Sequence, residues 1–185
     1  MVARFTAFNP AAEVLGQAMV AFVECSNRDA IRPFMEAHGL TEVNPDQWYP
    51  QQVWLDVLSD IANAKEDAMI DFVSIGMKLI RLIQLPPEFE QMSFRQVLQV
   101  WDEAGYQSTN RGEDAGYLAI DFLSDTHVKM ALHTPYPDDL MYGACFALAR
   151  RFLPHDTEVS VYFDESTPRR ADVGGDTVIH IEWAG

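Results

Sequence analysis

Apolar positions follow two different periods along this chain. In roughly the first hundred residues they recur at three- and four-residue spacing, the pattern of helices with one buried face. "NPAAEVLGQAMVAFVECSN" predicts a helix with Asn9 as N-cap and Pro10 at its first position, its stripe running through Val14, Ala18, Ala21 and Phe22. "RDAIRPFMEAHGL" predicts a short helix disturbed by Pro33 and stopped at Gly39. "PDQWYPQQVWLDVLSDIANA" places Val53, Val57, Leu58 and Ile61 on one stripe, and "EDAMIDFVSIGMKLIRLIQLPP" predicts a further helix ended by Pro86 and Pro87. "SFRQVLQVWDEAGY" predicts a fifth, with Ser93 as N-cap and Phe94, Val97, Leu98 and Trp101 as its apolar face.

From Gly105 the period drops to two. "GYLAIDFLSD" sets Leu118, Ile120 and Phe122 on one face, and "HVKMALHT" sets Val128, Met130 and Leu132 against Lys129, Ala131 and His133. The short "SDTH" link between them fits a hairpin. A helix over 138–152 follows, then "TEVSVYF" and "TVIHIEW", the last turning His180 and Glu182 away from Ile179 and Ile181. Alternation of this kind predicts antiparallel strands covered on one side. The fold class is therefore α+β: a helical N-terminal half packed on a C-terminal ββαββ unit with an antiparallel sheet. Residues 1–185 read as one domain, with a helical subdomain over 1–106 and a ββαββ subdomain over 107–185.

Composition narrows the function. The chain has 28 acidic and 13 basic residues, a formal net charge of −15, which repels phosphate backbones and anionic lipid headgroups. No nucleic-acid or membrane partner is expected. The longest apolar stretch, near Ile70 to Leu85, is broken by Lys78, Arg81 and Gln84, too polar to span a bilayer. Cys25 and Cys145 form neither a CxxC pair nor a zinc-like spacing and read as buried thiols, which fits a reducing, cytoplasmic setting.

Candidate chemistry is sparse. The five histidines show no i, i+4 pair and no HExxH, so no metal site is expected. His133 and His180 fall on polar strand faces and read as exposed. No GxSxG, P-loop or GxGxxG occurs. Asp138 and Asp139 open the 138–152 helix, where carboxylates cap backbone N–H groups and oppose the dipole. An enzyme using His133, Asp138, Asp139 and His155, with or without a metal, is the rival reading. "YGACFALA" gathers small residues at Gly143, Ala144, Cys145 and Ala147, so a sheet or a ligand can approach that helix closely. The helical half also carries more apolar faces than one sheet can cover, which points to a cavity walled by Trp54, Trp101, Tyr136 and Tyr142 with Gly143 and Cys145.

The order of elements over 117–183 resembles the C-terminal part of haem-NO-binding (H-NOX-type) domains and their haem-free V4R and TRAPP-like relatives. Leu132–His133 and Gly143 fall in step with the haem family's leucine–histidine pair and helix glycine. Its Tyr-x-Ser-x-Arg clamp for the haem propionates falls on Thr134, Tyr136 and Asp138, so an anion replaces the cation, and carboxylate would face carboxylate. The family's proximal histidine belongs in the helix before the first strand, and "SFRQVLQVWDEAGYQSTNRG" has none. Arg111 is the replacement cation that the sequence offers at that end.

The resemblance thus implies a haem-free, cytoplasmic, sensor-like domain without enzymatic activity. It would bind a small, largely apolar ligand between its halves and signal to a protein partner or a second copy. A ligand-free scaffold with a filled core is the remaining alternative.

Overall fold

Alternation in the C-terminal half becomes a four-stranded antiparallel sheet. Strands β4 (Tyr117–Phe122), β5 (His127–His133), β6 (Val159–Phe163) and β7 (Thr177–Trp183) lie in the order β4-β5-β7-β6. This computed structural model describes residues 3–64 and 70–184. Register follows the apolar pattern: Leu118 faces Leu132, Met130 faces Ile179, and Val161 faces Ile181. Val128, Met130, Leu132, Ile179 and Ile181 are fully buried, each contributing about 1.5–3 kcal/mol through removal of apolar surface from water. A one-residue slip would send all of them to the opposite face, which is what fixes the register.

The helical half consists of α1 (Gly16–Cys25), α2 (Arg28–Ala37), α3 (Gln51–Asn63), α4 (Phe72–Leu82) and α5 (Phe94–Trp101). Ser93 caps α5 as expected: its hydroxyl accepts from the Gln96 amide, and its own N–H donates to Gln96 Oε1 at 2.8 Å. Phe94, Val97, Leu98 and Trp101 form the buried face. The helix α2 runs through Pro33 instead of breaking there, held by Asn27 as its cap and by the burial of Ile31 and Met35. For the helix expected from Glu66, residues 66–69 lie outside the described residues, and the helical turns run over Phe72–Leu82.

Two expectations are corrected. The first helix starts at Gly16, not at Asn9; Asn9 Oδ1 instead accepts from the Ala11 N–H in a local turn, and Glu13–Leu15 is a strand, β1. Likewise Trp48–Pro50 is a strand, β2, and α3 begins only after it. With β3 (Asn110–Arg111) these form a second small sheet of order β2-β1-β3 within the helical half. Strands of two or three residues show no period, so pairing between distant segments decides them. A π-helical turn (Asp102–Tyr106) and β3 tie residues up to 111 to the helical half.

The helix α6 (Asp138–Phe152) lies between the halves. One face meets the sheet, where Cys145 lies beside Met130, and another meets α4.

Candidate functional site

The seam between α4 and α6 is the place where the two halves meet, and its middle is closed. A Cβ on Gly143 would overlap the carbonyl of Val73; one on Gly76 would overlap the carbonyl of Leu140 and lie 2.9 Å from the Ala144 amide. Two glycines thus bring backbone against backbone. Gly143 was expected against the sheet or a ligand; it faces another helix, and its missing side chain is filled by α4. At the far end Arg151 Nη1 donates to the carbonyls of Ile80 at 2.6 Å and Ile83 at 3.0 Å, binding the end of α6 to the last turn of α4.

At the start of α6 the seam opens into a pocket of about 120 Å³. Its apolar wall comes from Phe22, Trp54, Leu79, Leu140 and Met141. Its other end is lined by Tyr106, Thr109, Asn110 and Tyr136, brought together by the π-helical turn, β3 and the proline-bounded corner before α6. Gln51, at the first position of α3 and fully buried, knits these groups together. Gln51 Nε2 donates to Asn110 Oδ1 at 3.2 Å and to the Ala115 carbonyl at 3.1 Å. Tyr106 donates to the same carbonyl at 2.8 Å, Tyr136 to Asn110 Oδ1 at 2.5 Å, and Asn110 Nδ2 to the Tyr106 carbonyl at 3.0 Å. Gly116, at φ +103°, makes room: a Cβ there would stand 2.5 Å from the Tyr106 hydroxyl. Gln51 Oε1 is buried and has no partner. Burial pushes the Tyr136 hydroxyl well above its ordinary titration range, and burial with the neighbouring Tyr136 does the same to Tyr106, so both stay neutral.

The corner holding Thr134, Tyr136 and Asp138 is also occupied by the chain itself. Thr177 Oγ1 donates to Asp138 Oδ1 at 2.7 Å, and the Ala171 N–H approaches Oδ2 at 3.4 Å. Arg169 Nη2 donates to Asp139 at 2.7 Å while its Nε stands 3.7 Å from Asp138. Arg170, from the short helix α7 (Arg170–Val173), donates to the carbonyls of Pro135 at 3.0 Å and Tyr136 at 3.4 Å. Burial lowers the Arg170 pKa against the opposing pull of Asp138 and Tyr106. Asp138 and Asp139 therefore do not cap α6 with side-chain hydrogen bonds, as expected from sequence; the loop after β6 takes them first. Nor is Arg111 the cation of this corner: it pairs with Glu13 at 2.7 Å and lies over the Trp48 ring.

Of the six residues singled out for a pocket wall, Trp54 and Tyr136 line the opening. Trp101 packs its ring against Gly105 in the π-helical turn. Tyr142 donates to the Val161 carbonyl at 3.0 Å and stacks on Phe163. Cys145 lies beside Met130, where burial pushes its thiol up to about 12, so it is not nucleophilic near neutral pH. Sequence reading missed Gln51 and Asn110, 59 positions apart, and had no signal for them beyond a glutamine at a proline-led helix start.

Of the four residues of the rival reading, Asp138 and Asp139 share Arg169. His133 sits on the outer sheet face between the rings of Phe8 and Tyr117, its nitrogens at 2.6 Å from Asp176 and 3.1 Å from Asp114. His180 is mostly covered, not exposed, because Tyr162 stacks on it and it bonds His127 at 2.7 Å and Asp164 at 3.2 Å. His155 is exposed. Among the described residues no group of three or more His, Cys, Asp or Glu is arranged to hold a metal ion, and no helix is long and apolar enough to cross a membrane.

The residues of the seam do not fit a haem. The opening is well below even the roughly 300–1,000 Å³ of drug-sized pockets. Gly76 and Gly143 close the space beside it. The helix α5 and the turn after it carry no histidine, and the clamp position carries Asp138, already engaged.

No protein-family model and no curated protein matches this chain. Solved structures do. A point variant of the Tt H-NOX domain superposes with a TM-score of 0.67 at 13% identity, covering 92% of this chain and 95% of the other. An oxygen-binding H-NOX domain related to soluble guanylate cyclases, in its oxygen complex, gives 0.64 at 14% identity over 92% and 93%. A variant of the Fe(II) unliganded H-NOX protein from K. algicida gives 0.66 at 9% identity over 92% and 97%. The helical half and the ββαββ unit thus follow one established arrangement: the chain has the H-NOX fold.

Proposed function

We propose that this chain is a haem-free, sensor-like domain that binds a small, largely apolar molecule at the start of α6 and passes a conformational change to a protein partner. The observation that carries this reading is the apolar-walled pocket of about 120 Å³ at the junction of the two halves. An apolar cavity of about 150 Å³ accepts benzene or xenon, so the size suits a ligand of that order. The structural neighbours support a sensing role, since one is an oxygen-binding domain related to soluble guanylate cyclases. In this chain the seam supplies no room or ligands for a macrocycle, and the small molecule itself takes the signalling part.

Thermal denaturation with a panel of benzene-sized compounds tests the reading. At a hundredfold excess over its dissociation constant a ligand stabilises by about 2.7 kcal/mol. Ala18→Phe, at the half-buried mouth, should abolish the shift while leaving the fold intact. A panel without any shift, or a shift that survives Ala18→Phe, counts against the pocket. Expression with a haem precursor should give no Soret band, and a stoichiometric band would overturn the haem-free part.

A further inference from the structure

A groove of about 280 Å³ lies beside α1 and α2, and it shares no lining residue with the opening at α6. Its floor is apolar. Met35 and Leu40 are buried there, and Val20, Val23 and Val43 are half-buried. The floor is also held in place. Gly39, at φ +76°, turns the chain so that the Leu40 N–H donates to the Met35 carbonyl at 2.9 Å. His38 Nε2 lies 2.8 Å from Asp60, which ties the end of α2 to α3.

Arg28 and Arg32 line the same groove. At about 100° per residue they stand about 40° apart around α2, with Met35 on the same side. Among the described residues Arg28 has no hydrogen-bond or ion-pair partner. Arg32 has only Asp29, 3.7 Å away, in a pair whose side chains are 58% and 90% exposed. Arg28 also opens its helix, where the dipole disfavours a cation, so the fold gains little from either arginine. No carboxylate lines the groove. Two guanidinium charges against Asp29 leave a surplus of one, in a chain whose formal net charge is −15.

We propose that this groove binds a free alkyl carboxylate, its head on Arg28 and Arg32 and its chain on the floor of Val20, Val23, Met35 and Leu40. A guanidinium pairs a carboxylate through two parallel N–H···O bonds, so the arginines supply direction as well as charge. The single surplus charge matches a monoanion, not a phosphate dianion. The volume, just under that of drug-sized sites, suits a short chain such as octanoate. An anionic bilayer is the wrong source, because the acidic surface of the chain repels it.

Calorimetric titration of the full chain with octanoate, hexanoate, 1-octanol and octylammonium tests the proposal. Octanoate should bind about tenfold more tightly than 1-octanol, and octylammonium more weakly than either. Hexanoate should bind about fifteenfold more weakly than octanoate, since two methylenes leave the floor. The double variant Arg28→Gln with Arg32→Gln should bring octanoate to the level of 1-octanol and leave 1-octanol unchanged. Both side chains are exposed, so the variant keeps the fold. The proposal is overturned by a wild type that does not bind octanoate, or that binds it no better than 1-octanol or hexanoate. A preference that survives the double variant overturns it as well. So does octanoate binding that Ala18→Phe removes, because that assigns the anion to the opening at α6.

Discussion

One helix meets its neighbours in two opposite ways. About a third of the way along α6, Gly143 and Gly76 let two backbones touch, and nothing can enter. Less than a turn earlier, Leu140 and Met141 stand across from Trp54 and Phe22, and a space remains. Both regions are apolar and both lie on the same seam. The crossing is specified by the absence of side chains, whereas the opening is specified by rigid rings whose hydroxyls are tied down by Asn110 and Ala115. Apolar character alone therefore says little about where a cavity lies; the deciding feature is whether polar anchors stop large rings from collapsing inward.

The strongest way to break this contrast is at the crossing. Gly143→Ala should destabilise by about 3 kcal/mol in chemical denaturation, since its methyl group meets a carbonyl of α4 and not a flexible side chain. A loss below about 1 kcal/mol would show that the helices slide apart freely. Next is the corner at the start of α6: Asp138→Ala leaves Thr177 Oγ1 without its acceptor and takes a countercharge from Arg169, and should cost about 2–3 kcal/mol. At the opening itself Tyr136→Phe should cost only about 1 kcal/mol, because Asn110 Oδ1 still accepts from Gln51. A cost equal to that of Gly143→Ala would mean that the opening is as tightly packed as the crossing.

The smallest effect at neutral pH comes from Cys145. Its folded-state pKa, raised by burial to about 12, lies above its unfolded value of about 9. The contribution of the protonated thiol is complete below pH 9 and is lost as pH rises from about 9 to 12, because the unfolded chain releases the proton first. Denaturation should show no dependence on this group at pH 7–8 and a decline above pH 9 that Cys145→Ala makes shallower. Labelling of Cys145 at pH 8 should proceed only through unfolding. Rapid native-state labelling would place the thiol at an accessible surface.

How much of this was readable in advance depended on the range of the interactions involved. Period-two runs such as "HVKMALH" report burial residue by residue, so the strands, their facing and the span of α6 from Asp138 to Phe152 were legible. The capping box at Ser93 is equally local. The small sheet was not, because Glu13–Leu15 becomes a strand only through partners at Trp48–Pro50 and Asn110–Arg111. Small residues on α6 signalled close approach, but not that Gly76 would be the counterpart. Asp138 read as a cap because the sequence does not show Thr177 of β7 and Arg169 of the loop before it arriving from afar. The hydrogen-bonded cluster beside the pocket joins Gln51, Tyr106, Asn110 and Tyr136 from four separate segments, and no spacing announces them.

The glycine crossing also divides α6 into unequal lever arms. From Gly143 to Leu140 at the opening is three residues, and from Gly143 to Phe152 is nine, at about 1.5 Å of rise each. Turned about that fulcrum as a rigid rod, α6 would convert a displacement of about 1 Å at the opening into about 3 Å at its far end. The first bonds in the path of that swing are those of Arg151 to the carbonyls of Ile80 and Ile83. Arg151 thus stands on the long arm, where such a swing would be widest.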